Sequence, residues 1–284
     1  MPIHLSHAFN VGSLSVTALS DGVSERTQEM FFDRAVPESE WVAALGLASA
    51  AEERQFSATS YLIRGSDLTT LVDPGYGAVA RTTGMVGGGE LPLRLAEAGI
   101  APSEVDRVVI THLHAEHFCW LIDEDHTDEP LFPNAQAFVH TAELAYWTSD
   151  APTESRMTTR IRSVLDRIEA HGLLQTFEGE FPVAAEVTML PMPGHTPGHS
   201  VVRVASGADQ LLITGDLAYN TAHLEHAGWI PAAFNVDGAQ AARSREAFIA
   251  LALEHNAVIA IGHSAIPTLG RLTGTVGQPR WTPV

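Results

Sequence analysis

Residues 111–120 read Thr-His-Leu-His-Ala-Glu-His-Phe-Cys-Trp and follow directly on the apolar run Val108, Val109, Ile110. Three histidines and a carboxylate fall within six positions at the mouth of a predicted strand, a density of metal-capable side chains that packing does not require. His112 and His114 alternate, so on an extended backbone both rings project to the same side and can grip one ion. Glu116 and His117 are adjacent, so the chain has to turn there, and the pair can then reach a second ion beside the first.

The pattern elsewhere sets this motif in a β-rich fold with helices interposed. Stretches 11–19, 60–63 and 69–72 read as strands, with Arg64-Gly65-Ser66-Asp67 as the turn between the last two. Asp73-Pro74-Gly75 ends the third strand abruptly. A short helix is predicted over 91–100, after Pro92, and strands at 108–110 and 136–139. Ile161, Leu165 and Ile168 give 153–170 helical spacing. Strands follow at 187–192, 201–205 and 211–214, then an alanine-rich helix over 238–255 and a buried strand over 257–261. Two similar halves of sheet with helices outside predict an α+β fold, a four-layer αββα sandwich, with residues 1–284 as one domain. With 284 residues and 45% hydrophobic side chains the chain can bury such a core. Two segments stand outside this scheme. One is 22–57, carrying Glu25, Arg26, Phe31, Phe32 and Trp41 and a predicted helix over 41–53; the other is the glycine-rich loop 82–89. Insertions of this kind either cap a pocket or decorate a surface, and 22–57 is the candidate cap.

Four further motifs sit as the first does, at or just beyond a strand end. Pro193-Gly194-His195-Thr196-Pro197-Gly198-His199 follows 187–192, and Thr214-Gly215-Asp216 follows the apolar run 211–213. Gly262-His263 follows 257–261, and Asp73 follows Leu71 and Val72. Strand ends in one layered fold can converge on a single edge. Imidazole and carboxylate donors suit zinc, iron, manganese or cobalt, and two bridged ions need about seven protein ligands. His112, His114, Glu116, His117, His195, Asp216 and His263 supply that number. His4, His7, His126, His171 and His255 have no such neighbours and read as ordinary polar residues.

The net charge is −18, from 34 acidic and 16 basic residues. That surface repels phosphate backbones and anionic membranes, so a small-molecule substrate is expected and a nucleic-acid partner is not. No apolar run approaches membrane-spanning length, and the first residues lack the pattern of a signal peptide. The single cysteine, Cys119, allows no intramolecular disulfide and fits a reducing compartment. Between Phe118 and Trp120 it reads as a small buried apolar residue, with ligation the alternative. A cytoplasmic protein is expected, with a homodimer allowed.

Together, His-x-His-x-Glu-His, the glycine-flanked His195, Gly215-Asp216 and Gly262-His263 resemble the metallo-β-lactamase superfamily, over nearly the whole chain. The resemblance implies that His112, His114 and His195 hold a first metal and Glu116, His117 and His263 a second, with Asp216 bridging them. It further implies that Asp73 and His199 support the ligands from behind. The cofactor is then two divalent ions, zinc first, with iron, manganese or cobalt as the other candidates. One ligand departs from the family, which has Asp where this chain has Glu116. The extra methylene lets the carboxylate ligate with shifted geometry, chelate differently, or miss the metal. Phe118-Cys119-Trp120 also replaces the family's usual glycine after the last motif histidine, so a mononuclear iron or zinc state stays open.

Such a centre implies a metallo-hydrolase in which a metal-bridging hydroxide attacks a carbonyl or phosphoryl centre while Glu116 carries a proton to the leaving group. Tyr219, three residues after Asp216, resembles a tyrosine of the superfamily's N-acyl homoserine lactone hydrolases that hydrogen-bonds the lactone carbonyl. A core or pocket-wall tyrosine is the plainer reading. Glu116, Tyr219 and Asp216 are therefore the catalytic candidates. Phe118, Trp120, Trp229 and His223 are the candidate walls of a substrate pocket. Hydrolysis of a lactone or related carboxylic ester leads. The alternatives are thioester, β-lactam or phosphotriester hydrolysis, a mononuclear iron oxygenase, and a metal-free binding or sensor protein.

Overall fold

The computed structural model describes residues 3–153, 155–266 and 268–284. Seven strands form a first sheet in chain order: β1 (Ser6–Val11), β2 (Leu14–Thr27), β3 (Glu53–Arg64), β4 (Thr69–Val72), β5 (Arg107–Val109), β6 (Gln136–His140) and β7 (Leu174–Phe177). A second sheet repeats this with β8 (Phe181–Pro182), β9 (Val187–Pro191), β10 (Ser200–Ser206), β11 (Asp209–Ile213), β12 (Val258–Ala260), β13 (Leu269–Thr275) and β14 (Gln278–Pro283). Pairing is parallel from β4 to β7 and between β11 and β12, and antiparallel elsewhere. Parallel neighbours need long crossovers, and most of the helices are found there. With α1 (Glu38–Ala44) between β2 and β3, the crossovers carry α2 (Leu91–Glu97), α3 (Thr141–Thr148), α4 (Arg156–Ala170), α5 (Thr221–Glu225) and α6 (Gly238–Glu254).

Alternation along the strands gives three apolar interfaces, and hence four layers. Leu62, Leu71 and Val108 face α2 and α4, meeting Leu91, Leu95, Ile161, Val164 and Leu165. Their neighbours Ile63, Val72 and Val109 face the other way, onto Val202, Val204, Leu211 and Ile213 of the second sheet. Leu212 and Ile259 then turn outward to Phe248, Ile249 and Ala252 of α6. Because successive side chains point to opposite faces, shifting any of these strands by one residue would exchange its two cores. The αββα sandwich expected from the sequence is what these interfaces build.

Several boundaries differ from the pattern-based expectation. The helix expected over 41–53 is the shorter α1, because Gly46 takes a left-handed conformation (φ 62°) and the Leu47 N–H closes back on the Val42 carbonyl, a common helix stop. The expected 153–170 helix begins at Arg156, capped by the Ser155 hydroxyl, and residue 154 lies outside the described residues. Strands β13 and β14 went unread, since Thr273–Thr275 and Gln278–Thr282 are polar and mostly exposed. The ends of segment 22–57 are ladder rather than loop. A register shift between Ser20 and Val23 carries β2 onward, paired with β3 as far as Thr27 and Glu53. Such a bulge bends and twists a strand, and here the extension brings Arg26 and Phe56 to the wall of a cavity. Among the described residues no helix is long and apolar enough to cross a membrane.

Candidate metal centre

The strand ends converge as the motif spacing requires. After β5 the chain passes through His112 and His114 and makes a tight turn over Ala115–His117, closed by the His117 N–H donating to the His114 carbonyl (3.0 Å). That turn is how adjacent Glu116 and His117 reach past the first pair. His195 arrives from the loop after β9, Asp216 from the turn after β11 and His263 from the loop after β12. Donor atoms of His112, His114, His195 and Asp216 lie within 4.8 Å of one another, as do those of Glu116, His117 and His263.

Asp216 stands between the two groups. Its Oδ2 is 3.7 Å from His112 Nε2 and 3.4 Å from His195 Nε2, while its Oδ1 is 3.2 Å from His117 Nε2 and 3.0 Å from His263 Nε2. Within the first group His112 Nε2, His114 Nδ1 and His195 Nε2 are 2.9–3.2 Å apart.

The surroundings decide which ring nitrogens carry protons. Thr111 Oγ1 donates to Asp73 Oδ2 (2.7 Å), so at 3.1 Å it accepts from His112 Nδ1. His117 Nδ1 donates to Asp73 Oδ2 (2.9 Å) and His263 Nδ1 to the Ser57 carbonyl (3.0 Å). The Tyr219 hydroxyl donates to Asp216 Oδ2 (3.1 Å) and accepts from His195 Nδ1 (3.3 Å). Four rings are thereby turned with Nε2 inward, each within 3.7 Å of an Asp216 carboxylate oxygen. Imidazole nitrogens and a carboxylate converging this closely in a buried site form the kind of donor set that suits divalent cations.

Electrostatics distinguish the two groups. Burial and the neighbouring imidazoles press the His112 pKa well below the usual imidazole value, and burial does the same to His195. Burial also works against charge on His117 and His263, but Asp216, joined at His117 by Asp73, outweighs it and holds both above the usual value. Burial penalises the Asp216 carboxylate too, yet His263, His117 and His112 keep it ionised far below the ordinary range. A cation entering the second group therefore displaces protons.

The backbone is shaped to this end. Asp73 takes a left-handed conformation (φ 50°), rare outside glycine and asparagine-like residues. That turn brings its Oδ1 within 2.7 Å of the Thr111 N–H while Oδ2 holds His117. His199 donates from Nδ1 to the Met192 carbonyl and accepts the Asp216 N–H at Nε2 (3.1 Å). Its ring lies so close to Gly215 that a Cβ there would sit 2.8 Å from Nε2, which is why glycine precedes the aspartate.

A cavity of about 530 Å³ opens above the donors, walled by Arg26, Met30, Phe31, Phe56, Tyr76, Tyr146, Trp147, Met157, Phe234 and Val236, with Glu116 and Tyr219 on its floor. None of the four residues expected in the pocket lines it. Phe118 and Trp120 belong to the core under α2 and α4, and the Trp120 indole N–H donates to buried Asp21 (2.9 Å). The tight turn over Cys119–Leu121 carries both rings into that core and away from the cavity. Trp229 stacks on His226 and packs edge-on against Phe32. His223 lies on α5, fully buried, accepting the Tyr219 N–H and bonded through Nε2 to the Phe31 carbonyl. It supports the tyrosine from behind. Cys119 is a free, buried thiol outside both donor groups, its pKa pushed up to about 11 by burial. Sequence patterns also missed Glu143, a fully buried carboxylate beside the ligand loops, and the cavity walls, which come from segments far apart in the chain.

The model of the metallo-beta-lactamase superfamily matches residues 54–263. Among solved structures, AidC, a dizinc quorum-quenching lactonase in complex with a product, N-hexanoyl-L-homoserine, superimposes with a TM-score of 0.82 at 20% identity, covering 99% of this chain and 98% of that one. The hydrolase AbOPH of the beta lactamase superfamily gives 0.82 at 21% identity, over 100% and 99% of the two chains. An N-acyl homoserine lactone hydrolase with N-hexanoyl-L-homoserine bound at its catalytic metal centre gives 0.65 at 18% identity, over 90% and 94%. At these identities the structural likeness speaks for the fold.

Proposed function

The chain belongs to the metallo-beta-lactamase superfamily and is a metallo-hydrolase of that fold, and we propose that it opens a lactone, or cleaves a related carboxylic ester, bearing an apolar acyl group. One observation carries the reading: two donor groups joined by Asp216 lie under an aromatic and methionine-lined cavity, with the Tyr219 phenol and the Glu116 carboxylate at the same floor. We assign His112, His114, His195 and Asp216 to one ion and Glu116, His117, His263 and Asp216 to a second, with zinc as the first candidate. Divalent ions held there supply Lewis acidity that makes a hydroxide nucleophile accessible near neutral pH.

The protein's own groups do the rest. Met30, Phe31, Phe56, Trp147 and Phe234 hold the acyl chain and exclude water from the reacting ester. Tyr219, its pKa raised well above the usual phenol value by burial and the Asp216 charge, stays protonated and can donate to the carbonyl oxygen as negative charge develops. Glu116 faces the cavity while adjoining His117 and His263, a position from which its longer stem can deliver a proton to the departing alkoxide. The extension of β2 and β3 with the segment between them serves as a cap over one domain. The two neighbours with bound acyl-homoserine products support the lactone reading, and the reduced, buried Cys119 suits a cytoplasmic home.

The test is metal analysis together with hydrolysis of a panel of lactones, thioesters, β-lactams and phosphotriesters. Zinc-dependent turnover greatest on acyl lactones is expected. Stoichiometric metal with preferential turnover of another class would overturn the substrate reading, and oxygen uptake with iron alone would overturn the hydrolase.

A further inference from the structure

Glu143 lies in the first turn of α3 with no exposed surface. Its Oε1 accepts the Leu113 N–H (2.9 Å) and the Trp147 indole N–H (2.7 Å), and its Oε2 accepts the Gly198 N–H (3.0 Å). Leu113 sits between His112 and His114, and Gly198 lies three residues beyond His195. One carboxylate thus grips both loops that bring the three imidazoles of the first group together. The approach is close enough that a Cβ at position 198 would lie 2.3 Å from the Glu143 nitrogen.

Burying a carboxylate is costly unless it is fully hydrogen-bonded, so the choice of residue is informative. Three N–H donors converge on this side chain, and only an acceptor-only group satisfies all three; a glutamine amide would turn its own N–H against at least one. Trp147, one helical turn along, also walls the cavity and packs edge-on against His114, with ring centroids 5.5 Å apart. Cavity wall, motif loop and His195 loop therefore meet at a single carboxylate.

We propose that Glu143 is a positioning residue that sets the spacing of His112, His114 and His195 and ties it to the cavity wall at Trp147. This rests on the metal-centre reading above. Charge-supporting partners behind ligands typically change metal affinity by about 10–100-fold when replaced.

The test uses Glu143→Gln, Glu143→Ala and Trp147→Phe, with zinc(II) affinities from competition with a chromophoric chelator and the visible spectrum of the cobalt(II) form. Circular dichroism and denaturant unfolding report the fold. Glu143→Gln keeps an acceptor and is expected to fold, to bind one of two ions about 10–100-fold more weakly, and to show an altered cobalt spectrum. Trp147→Phe removes one donor and is expected to shift the cobalt spectrum while leaving zinc affinity within a few-fold. If Glu143→Ala does not fold, these two decide. Wild-type affinities and an unchanged cobalt spectrum in folded Glu143→Gln would overturn the proposal, even where stability falls. Wild-type protein that binds none of zinc, cobalt, manganese or iron would overturn the metal-centre reading itself, and this proposal with it.

Discussion

Replacing Tyr219 by phenylalanine separates chemistry from packing at this site. The change removes one oxygen and no carbon. The ring therefore keeps its stacks on Phe31 (5.0 Å between centroids) and His263 (6.0 Å). What goes is the donor 3.1 Å from Asp216 Oδ2 and the acceptor 3.3 Å from His195 Nδ1. Losing a buried hydrogen bond to a charged partner costs about 1.5–3 kcal/mol, so unfolding by denaturant should move by an amount of that order. Catalysis is a separate prediction. A phenol that meets the carbonyl oxygen only as charge develops should leave KM nearly unchanged and lower kcat about 10²–10³-fold, or about 2.7–4 kcal/mol. Steady-state kinetics on an acyl lactone at saturating zinc, with metal content measured on the same sample, is the assay. Full turnover in a variant that has lost stability would refute the catalytic role. Lost turnover accompanied by lost zinc would instead mean that the hydroxyl acts by holding His195 and Asp216.

Other outcomes follow from the same geometry. Glu116→Gln should lower turnover about 10²-fold or more if the carboxylate moves a proton, and unchanged kcat would rule that role out; Glu116→Asp tests whether the longer stem is needed. Apparent zinc affinity should rise with pH, because His117 and His263 hold protons above the usual imidazole pKa until the metal displaces them. The slope approaches about tenfold per pH unit for each proton released, and a flat titration from roughly pH 6 to 8 would contradict the assigned protonation. Phe118→Ala should cost about 3–5 kcal/mol of stability, since the ring is fully buried; a change confined to substrate KM would return it to the pocket. Met157→Ser, at a side chain 47% exposed on the cavity wall, should raise KM for long acyl chains and not for short ones, with stability unchanged.

Much of the molecule could be read from the chain because its physics is periodic or chemically rare. Leu71 and Val72, or Leu211 and Leu212, declare two buried faces by alternation alone. The seven donor residues stood out because imidazoles and carboxylates at successive strand ends are costly unless something binds them. Tyr219 is a candidate by its spacing to Asp216, and the structure adds the hydrogen bond that connects the two. The weaker readings failed where local pattern carries no direction. Phe118, Trp120, Trp229 and His223 are pocket candidates by proximity in sequence, but a tight turn sends the first two into a core, α5 buries His223, and Trp229 packs against Phe32.

The sequence by itself determined the layer order, the edge on which the metal-capable residues gather, and the identity of the odd carboxylate at position 116. Those depend on side-chain type and on spacing within single strands and turns. Only the tertiary structure decided which wall faces the substrate, which nitrogen of each histidine points inward, and that one buried glutamate joins two ligand loops. These depend on groups such as Asp73 and His117, or Glu143 and Gly198, being brought within hydrogen-bonding distance across 44 and 55 residues of chain. No local propensity encodes such distances; they exist only once the apolar interfaces have fixed the sheets and helices against one another.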